Sequence, residues 1–208
     1  MLIQIPHIQK SNLSNSFIIG IEGLNGVGKT TLTQNIQKYK ADIKCDLCVP
    51  ELFTKGKELK SYMLFEAAAT TSALYYLSGI CESYRLLDNF NYSKIALDRS
   101  IWSTFAAAYA KKPEIIPPLL QVVDALKSFL VLPDVIVVLL ASFDTCQQRI
   151  FKKNSGKEFD KDSKGIFDRK QEFYKILNNS GYNIRFIDTE RLTALEVYEE
   201  FDRMLSQL

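Results

Sequence analysis

The chain has 208 residues, 47% of them hydrophobic and 24% charged, with 26 Lys and Arg against 24 Asp and Glu. This length fits one domain, and the near-average composition excludes a disordered or collagen-like chain. No apolar run approaches the roughly 20 residues of a membrane span, and a net charge of +2 does not indicate nucleic acid or a membrane as partner. Residues 1–16 lack a secretory signal, so we expect a polar tail there, one domain over 17–208, and a cytoplasmic location.

Short apolar runs alternate with helical patterns along this domain. Strands are predicted at 17–22, 43–50, 94–98, 135–140 and 182–188. Helices are predicted at about 29–39, across 56–89 with a break near Glu66, and at 101–110, 117–129, 143–153, 163–178 and 193–208. Because strands that alternate with helices form a parallel sheet covered on both faces, the sequence predicts an α/β fold.

The four cysteines do not form a convincing metal or redox motif. Cys45 and Cys48 have CxxC spacing, which could be half a zinc site or a redox pair. A zinc site would need a second pair or nearby histidines, and the single histidine, His7, lies in the tail. A redox pair usually opens a helix, whereas this one lies in an extended run. We therefore expect two small residues that pack in a strand.

A glycine-rich turn follows the first predicted strand. Residues 23–30 read Gly-Leu-Asn-Gly-Val-Gly-Lys-Thr and match GxxxxGK[ST] at every fixed position. Glycines let the backbone N–H groups of such a loop surround phosphate oxygens, and the following helix adds its positive end. Lys29 is expected to reach the β- and γ-phosphates, and the Thr30 hydroxyl to ligate Mg²⁺. The residues predicted to bind ATP in this loop are Gly23, Asn25, Gly26, Val27, Gly28, Lys29, Thr30 and Thr31.

Other residues should gather beside this loop, because ligands of an open α/β sheet bind at the carboxyl ends of its strands. No guanine-specifying Asn-Lys-x-Asp segment occurs, so the chain reads chiefly as a small kinase. Asp98 could hold Mg²⁺ or its waters, and Arg99 could neutralise charge on the transferring group or on an acceptor phosphate. Glu51 could accept a hydroxyl proton or bind the sugar. The alternatives are a structural Asp98–Arg99 ion pair and a Glu51 without a catalytic role.

A basic segment follows the fourth strand. Residues 149–175 carry nine Lys and Arg against five Asp and Glu, and 154–164 are polar. We predict a short lid at about 153–164, in which Arg149, Lys153 and Lys157 supply mobile cations for phosphoryl transfer. The alternative is a solvated helix face.

These segments together resemble the thymidylate kinase and deoxynucleoside kinase branch of P-loop kinases. Residues 21–31 are similar to the thymidylate kinase loop IEGxDGxGKST, and Asp98-Arg99 resembles its DRY motif. Pro133-Asp134 and Arg149-Ile150 resemble the PD…RI segment before the lid, and residues 167–174 follow the thymidylate kinase tail. The resemblance implies a 2-3-1-4-5 sheet, transfer of the ATP γ-phosphoryl group to dTMP, Mg²⁺, and often a homodimer.

The acceptor side departs from the thymidylate kinase pattern. Of three arginines that the family places around the acceptor monophosphate, Arg99 remains, while Pro50 and Gly79 stand at the other two positions. The pair that contacts the base in the family falls at Ala107-Ala108. Basic residues that could replace the missing arginines are Lys55, Lys57, Lys60 and Arg85. Residues 49–51 and 99–103 are closer to deoxynucleoside kinases, although those have Glu where Asp98 stands.

Aromatic residues could line a pocket for the acceptor base, and the candidates are Phe53, Tyr76 and Trp102. At helical spacing they fit a hydrophobic core equally well. The leading hypothesis is a dTMP kinase. The alternatives are a deoxynucleoside kinase and a nucleotide-binding regulator that has lost catalysis.

Overall fold

Five parallel strands run through the chain. The computed structural model describes residues 5, 6, 8, 16–87, 92–153 and 163–208, without the side chains of residues 52, 54 and 57. The strands are β1 (Phe17–Gly23), β2 (Ile43–Leu47), β3 (Lys94–Asp98), β4 (Val135–Leu140) and β5 (Ile184–Asp188). They pair in the order β2-β3-β1-β4-β5, as the resemblance implied. The α/β fold with a 2-3-1-4-5 sheet is therefore confirmed.

Helices cover both faces of this sheet. They are α1 (Lys29–Tyr39), α2 (Leu52–Lys55), α3 (Lys57–Ser61), α4 (Ala69–Leu87), α5 (Ile101–Lys111), α6 (Ile116–Leu126), α7 (Phe143–Lys153), α8 (Lys164–Asn178) and α9 (Ala194–Leu205). Successive strand residues face opposite sides, so Ile18 packs in the cluster with α4, α5 and α6 while Ile19 packs with α1 and α9. Both layers are thus hydrophobic cores, which fixes the strand ends that form the site. Within the described part of the chain, no helix is long and apolar enough to cross a membrane.

Most of the helices and strands begin and end within three residues of the predicted positions. The run 43–50 ends as a strand at Leu47, because Pro50 has no N–H for the ladder and the chain turns there. The break near Glu66 is present, since a π-helical turn, Tyr62–Glu66, ends before Ala67 takes an extended conformation. The predicted lid, apart from its two ends, falls in 154–162, outside the described residues.

The described residues of the predicted polar tail are not all at the surface. Ile5 and Ile8 are buried in the same cluster as Trp102. The Tyr182 hydroxyl donates to Pro6 O at 2.9 Å and accepts from Ile8 N at 3.0 Å, which attaches this segment near the start of β5. The sequence did not predict this contact, because it joins positions 174 residues apart.

Candidate active site

The phosphate loop of residues 23–30 is packed tightly between β1 and α1. Gly23 and Gly26 have φ of 128° and 87°, which side chains rarely adopt. A Cβ on Gly26 would lie 2.5 Å from the backbone oxygen of Cys146 in α7, and one on Gly23 equally close to Leu139 O in β4. The glycines are therefore required both for the turn and for the close approach of neighbouring elements.

Lys29 lies inside the loop and is 6% exposed. Its ammonium group donates to Gly23 O at 2.9 Å and to Leu24 O at 2.8 Å. Burial, and secondly the positive charge of Arg99, lower the pKa of Lys29 to about 7, against the opposing effect of Asp98. The loop thus surrounds a desolvated amino group with its own carbonyl groups, and this environment disfavours the charged form.

The end of β3 brings a carboxylate against the start of α1. Asp98 pairs in register with Ile21 of β1, and its Oδ2 accepts from the Thr30 hydroxyl at 3.0 Å. Two hard oxygen ligands next to each other suit Mg²⁺, which binds few protein groups and keeps waters or phosphate oxygens as its other ligands. The predicted metal pair is therefore brought together.

Arg99 turns from β3 toward the loop through an unusual backbone conformation. Its φ of 75° is in the left-handed region, and its N–H donates to Ile21 O at 2.9 Å. The guanidinium group donates to Asn25 Oδ1 at 2.7 Å and to Ser103 Oγ at 3.3 Å. The predicted cation, Arg99, thus lies beside the phosphate loop, and it does not form the alternative ion pair with Asp98.

A buried carboxylate supports this turn. Glu22, near the end of β1, has no exposed surface. Its Oε1 accepts from Ser100 N at 2.8 Å, Ser100 Oγ at 2.6 Å and Ser103 N at 3.0 Å, and its Oε2 from the Ser103 hydroxyl and from Tyr174 OH at 2.9 Å. The sequence placed Glu22 at a strand end but gave it no role, and it did not indicate Tyr174.

On the β4 and β5 side of the loop, Arg149 is held in place. It donates to Thr189 Oγ1 at 3.0 Å and to Thr189 O at 2.6 Å. The Thr189 hydroxyl in turn contacts Val27 O at 3.1 Å and Leu140 O at 2.9 Å. Arg149 is thus fixed at the loop rather than carried by a mobile segment, and Lys153 lies one turn further along α7.

A nearby carboxylate fastens the start of α7 to the segment after β5. Glu190 accepts from Thr145 Oγ1 at 2.6 Å and from Ser142 N and Oγ at 2.6 and 2.8 Å. These bonds, the one from Thr145 first, lower the pKa of Glu190 to about 2.

These elements surround a cleft of about 1000 Å³, the size of a substrate pocket. The sheet order divides it, because β4 and β5 lie on one side of the loop and β3 and β2 on the other. The first side is lined by Arg149, Ile150, Lys153, Thr189, Leu192, Ala194 and Val197. The second side is lined by Leu47, Cys48, Val49, Lys60, Leu64, Tyr76, Ser103, Thr104, Ala106 and Ala107. Lys170 and Tyr174 of α8 also face the cleft.

The predicted acceptor residues are brought together in part. Tyr76 lines the cleft. Phe53 packs against Tyr75, with ring centroids 5.6 Å apart, and does not line the cleft. Trp102 is 1% exposed, and its ring centroid lies 4.6 Å from that of Tyr182. It therefore belongs to the core, and the prediction that it lines the acceptor pocket is wrong.

Glu51 is also displaced from the cleft. Its side chain is 67% exposed and forms an ion pair with Lys55 at 3.0 Å. It follows β2 at the start of the short helix α2, and it is not among the residues that line the cleft. The predicted role of Glu51 in catalysis is therefore not supported by its position.

Gly79 shows what occupies the place of one missing arginine. A Cβ on this residue of α4 would lie 2.6 Å from Val49 Cγ1 and 3.2 Å from Phe53 Cδ1. The space beside α4 is therefore filled by apolar side chains of the segment after β2. A larger residue at this position could be accommodated only if that segment moved.

The cysteines behave as packing residues. Cys45 lies within β2, and Cys48 directly follows it, both buried as free thiols. Burial raises the pKa of Cys45 to about 11, far from a reactive thiolate. The described residues thus hold neither a disulfide nor a zinc cluster at this pair.

The sheet order and the loop between β1 and α1 together define a P-loop phosphotransferase, with the cleft beside the loop for its substrates. The sequence matches the thymidylate kinase family over residues 21–200, so the chain belongs to that family. It is a nucleoside or nucleotide kinase.

Solved structures show the same fold. The deoxyadenosine kinase from M. mycoides with bound dATP superimposes with a TM-score of 0.67 at 17% identity, covering 91% of this chain and 100% of that one. The thymidylate kinase from Candida albicans gives 0.66 at 24% identity and covers 92% of each chain. No curated protein matches the sequence.

Proposed function

We propose that this kinase transfers the γ-phosphoryl group of ATP to a pyrimidine deoxynucleoside monophosphate, with dTMP as the expected acceptor. The observation that carries the proposal is a single cleft in which Lys29, the Thr30–Asp98 pair and Arg99 surround the end of the phosphate loop. Its β4/β5 side, with Arg149 and Lys153, is the proposed place of ATP. Its β2/β3 side is then the place of the acceptor.

In the proposed reaction an acceptor phosphate oxygen attacks the γ-phosphorus as the bond to the β–γ bridging oxygen breaks, and ADP leaves with the electron pair. Lys29 binds the β- and γ-phosphates, while Arg99 neutralises charge that spreads over the transferring group. Mg²⁺ held by Thr30 and Asp98 would neutralise charge on the phosphate oxygens. The packing of Gly23 and Gly26 against their neighbours fixes the loop so that these groups need not reorganise.

An acceptor phosphate is negatively charged and needs cations beside it. Because two arginines of the family pattern are absent, other residues must supply that charge. Lys55 is paired with Glu51, and Arg85 is bonded to Glu82, both on the surface. The side chain of Lys57 lies outside the described part of the structure. Lys60 lines the cleft, as Tyr76 does. We therefore propose that Lys60 binds the acceptor phosphate and that Tyr76 contacts the base.

A deoxynucleoside acceptor is the second candidate. It is favoured by the apolar packing of Val49 and Phe53 against Gly79, which leaves no room for a cation at that position. Arg99 and Lys60 would then contact the ATP γ-phosphate alone.

The test is a panel of the natural deoxynucleosides and their 5′-monophosphates, each assayed with ATP and Mg²⁺ for formation of ADP and of the phosphorylated acceptor. Turnover of dTMP above all others supports the first proposal. Turnover of nucleosides without that of monophosphates would replace it by the second. Calorimetric binding of ATP with no transfer to any acceptor would favour the regulator. The variant Lys60→Met should raise the KM for dTMP at least tenfold, while Lys127→Met, on the surface, should not.

We also propose one domain over residues 17–208 with a lid at about 153–164, a homodimer, and a cytoplasmic location. Light scattering on a gel-filtration column measures the assembly directly. A mass of 23.7 kDa rather than its double would refute the dimer.

A further inference from the structure

One hydroxyl group connects the buried carboxylate with the arginine of the cleft. Ser103 Oγ accepts from the Arg99 guanidinium at 3.3 Å and donates to Glu22 Oε2. The same Glu22 oxygen accepts from Tyr174 OH at 2.9 Å. A continuous path of hydrogen bonds therefore runs from α8, through the end of β1, to the cation that faces the phosphate loop.

Arg99 needs support at its head group. A non-glycine residue at φ of 75° is strained, and the long side chain loses rotamer entropy when it is fixed. The structure gives the guanidinium group two acceptors, Asn25 Oδ1 on the loop and Ser103 Oγ on α5. Since Asn25 is exposed and belongs to the loop that binds ATP, Ser103 is the acceptor that belongs to the rigid scaffold.

Glu22 determines which way the Ser103 hydroxyl points. The Ser103 proton is directed to the carboxylate, so the oxygen lone pairs remain for Arg99. A hydroxyl that donates to a buried carboxylate is polarised and becomes a stronger acceptor. The Ser103 and Ser100 N–H groups bind the same carboxylate, which holds the first turn of α5 in place as well.

We propose that Ser103 is a positioning residue for phosphoryl transfer, oriented by Glu22 and Tyr174 so that it holds Arg99 toward the transferring group. This inference rests on the proposed function, because that function assigns Arg99 its role. It goes beyond it by giving the buried network a purpose in the reaction.

A double-mutant cycle tests the inference, with the variants Ser103→Ala, Arg99→Ala and both together, measured in single turnover so that slow rates remain accessible. Ser103→Ala should lower the transfer rate about tenfold, with the KM for ATP and for the acceptor changed less than twofold. In the Arg99→Ala background the same substitution should have no further effect, because the residue through which Ser103 acts is gone. Ser103→Thr, which keeps the hydroxyl, should recover most of the rate. Ser83→Ala removes a buried serine of α4 that does not line the cleft, and should leave the rate unchanged.

Three results would each overturn the inference. The first is a double variant whose rate loss equals the product of the two single losses, and the second is an unchanged rate in Ser103→Ala. The third is a rise confined to the KM for the acceptor, which would show that Ser103 contacts the substrate directly. A second readout does not need catalysis. In ¹⁵N NMR spectra recorded at low temperature, the Arg99 Nη1–H signal, assigned from Arg99→Lys, should exchange faster with solvent in Ser103→Ala than in the native protein, because Nη1 is the group that donates to Ser103 Oγ. Equal exchange refutes the positioning, whereas absence of transfer by the native enzyme refutes the proposed function.

Discussion

Lys29 should take up a proton when the loop binds a nucleotide. Its pKa of about 7 reflects burial among loop carbonyls and the nearby positive charge of Arg99. A polyphosphate placed against the ammonium group supplies the negative charge that the site lacks, and it stabilises the protonated form. The direction is fixed by this change: binding raises the pKa, so the protein takes up protons, most of all at pH values between the free pKa of about 7 and the bound pKa.

The magnitude follows from the titration curve. With a pKa of about 7, roughly one tenth of Lys29 carries a proton at pH 8, and about half at pH 7. If the bound phosphates restore the pKa to its ordinary range near 10, binding takes up about 0.9 proton per site at pH 8 and about 0.5 at pH 7. At pH 8 the nucleotide phosphates themselves contribute little.

Calorimetry measures this uptake directly. ADP is titrated into the protein at pH 8 in buffers of different ionisation enthalpy, and the slope of the binding enthalpy against that quantity is the number of protons exchanged. ADP is used so that no transfer occurs. The variant Lys29→Arg keeps the positive charge but cannot release its proton, so its slope should be close to zero. A slope near zero in the native protein, or the same slope in both, would refute the reasoning.

Three other predictions concern packing, metal and acid stability. Gly79→Ala should lower the free energy of unfolding in urea by about 1–3 kcal/mol, since its Cβ would meet Val49 at 2.6 Å; an unchanged midpoint would show that the segment yields easily. Asp98→Asn should raise the Mg²⁺ concentration for half-maximal transfer at least tenfold, and an unchanged Mg²⁺ titration would exclude Asp98 as a ligand. The hydrogen bonds from Thr145 and Ser142 lower the pKa of Glu190 to about 2. The stability that the Glu190 carboxylate provides is therefore complete above about pH 5 and is lost as the pH falls toward 2. The melting temperature of the native protein should therefore exceed that of Glu190→Gln at pH 6 and converge with it in acid; a gap independent of pH would contradict this.

The sequence predicted the catalytic side of the cleft well because its determinants are local. The loop 23–30 specifies its own backbone through three glycines with positive φ, and the adjacent strand and helix follow from apolar periodicity. The Thr30–Asp98 contact could also be inferred, since both residues stand at the same edge of a parallel sheet.

The acceptor side could not be predicted as well, because its side chains come from elements whose packing the sequence does not state. Trp102 and Phe53 lie shortly after the ends of β3 and β2, and Tyr76 lies within α4. All three are aromatic, but Trp102 is buried in the core whereas Tyr76 lines the cleft, and the sequence does not state how each helix is rotated. The Glu22–Tyr174 bond joins residues 152 positions apart. A Glu within an otherwise apolar strand was the one available signal, because a carboxylate there must be buried and needs donors.

The acceptor side also differs from the phosphate loop in how a lost side chain can be replaced. The loop binds phosphate chiefly through backbone groups, so few substitutions are compatible with it, whereas an acceptor phosphate is met by single cations that can come from several elements. Here α4 and the segment after β2 approach each other at Gly79, closing one such position, while Lys60 of α3 and Lys170 of α8 face the same cleft. Missing arginines at two sequence positions therefore do not by themselves imply a missing acceptor phosphate. The relevant quantity is the charge that reaches the cleft, to which Arg99 and these two lysines contribute.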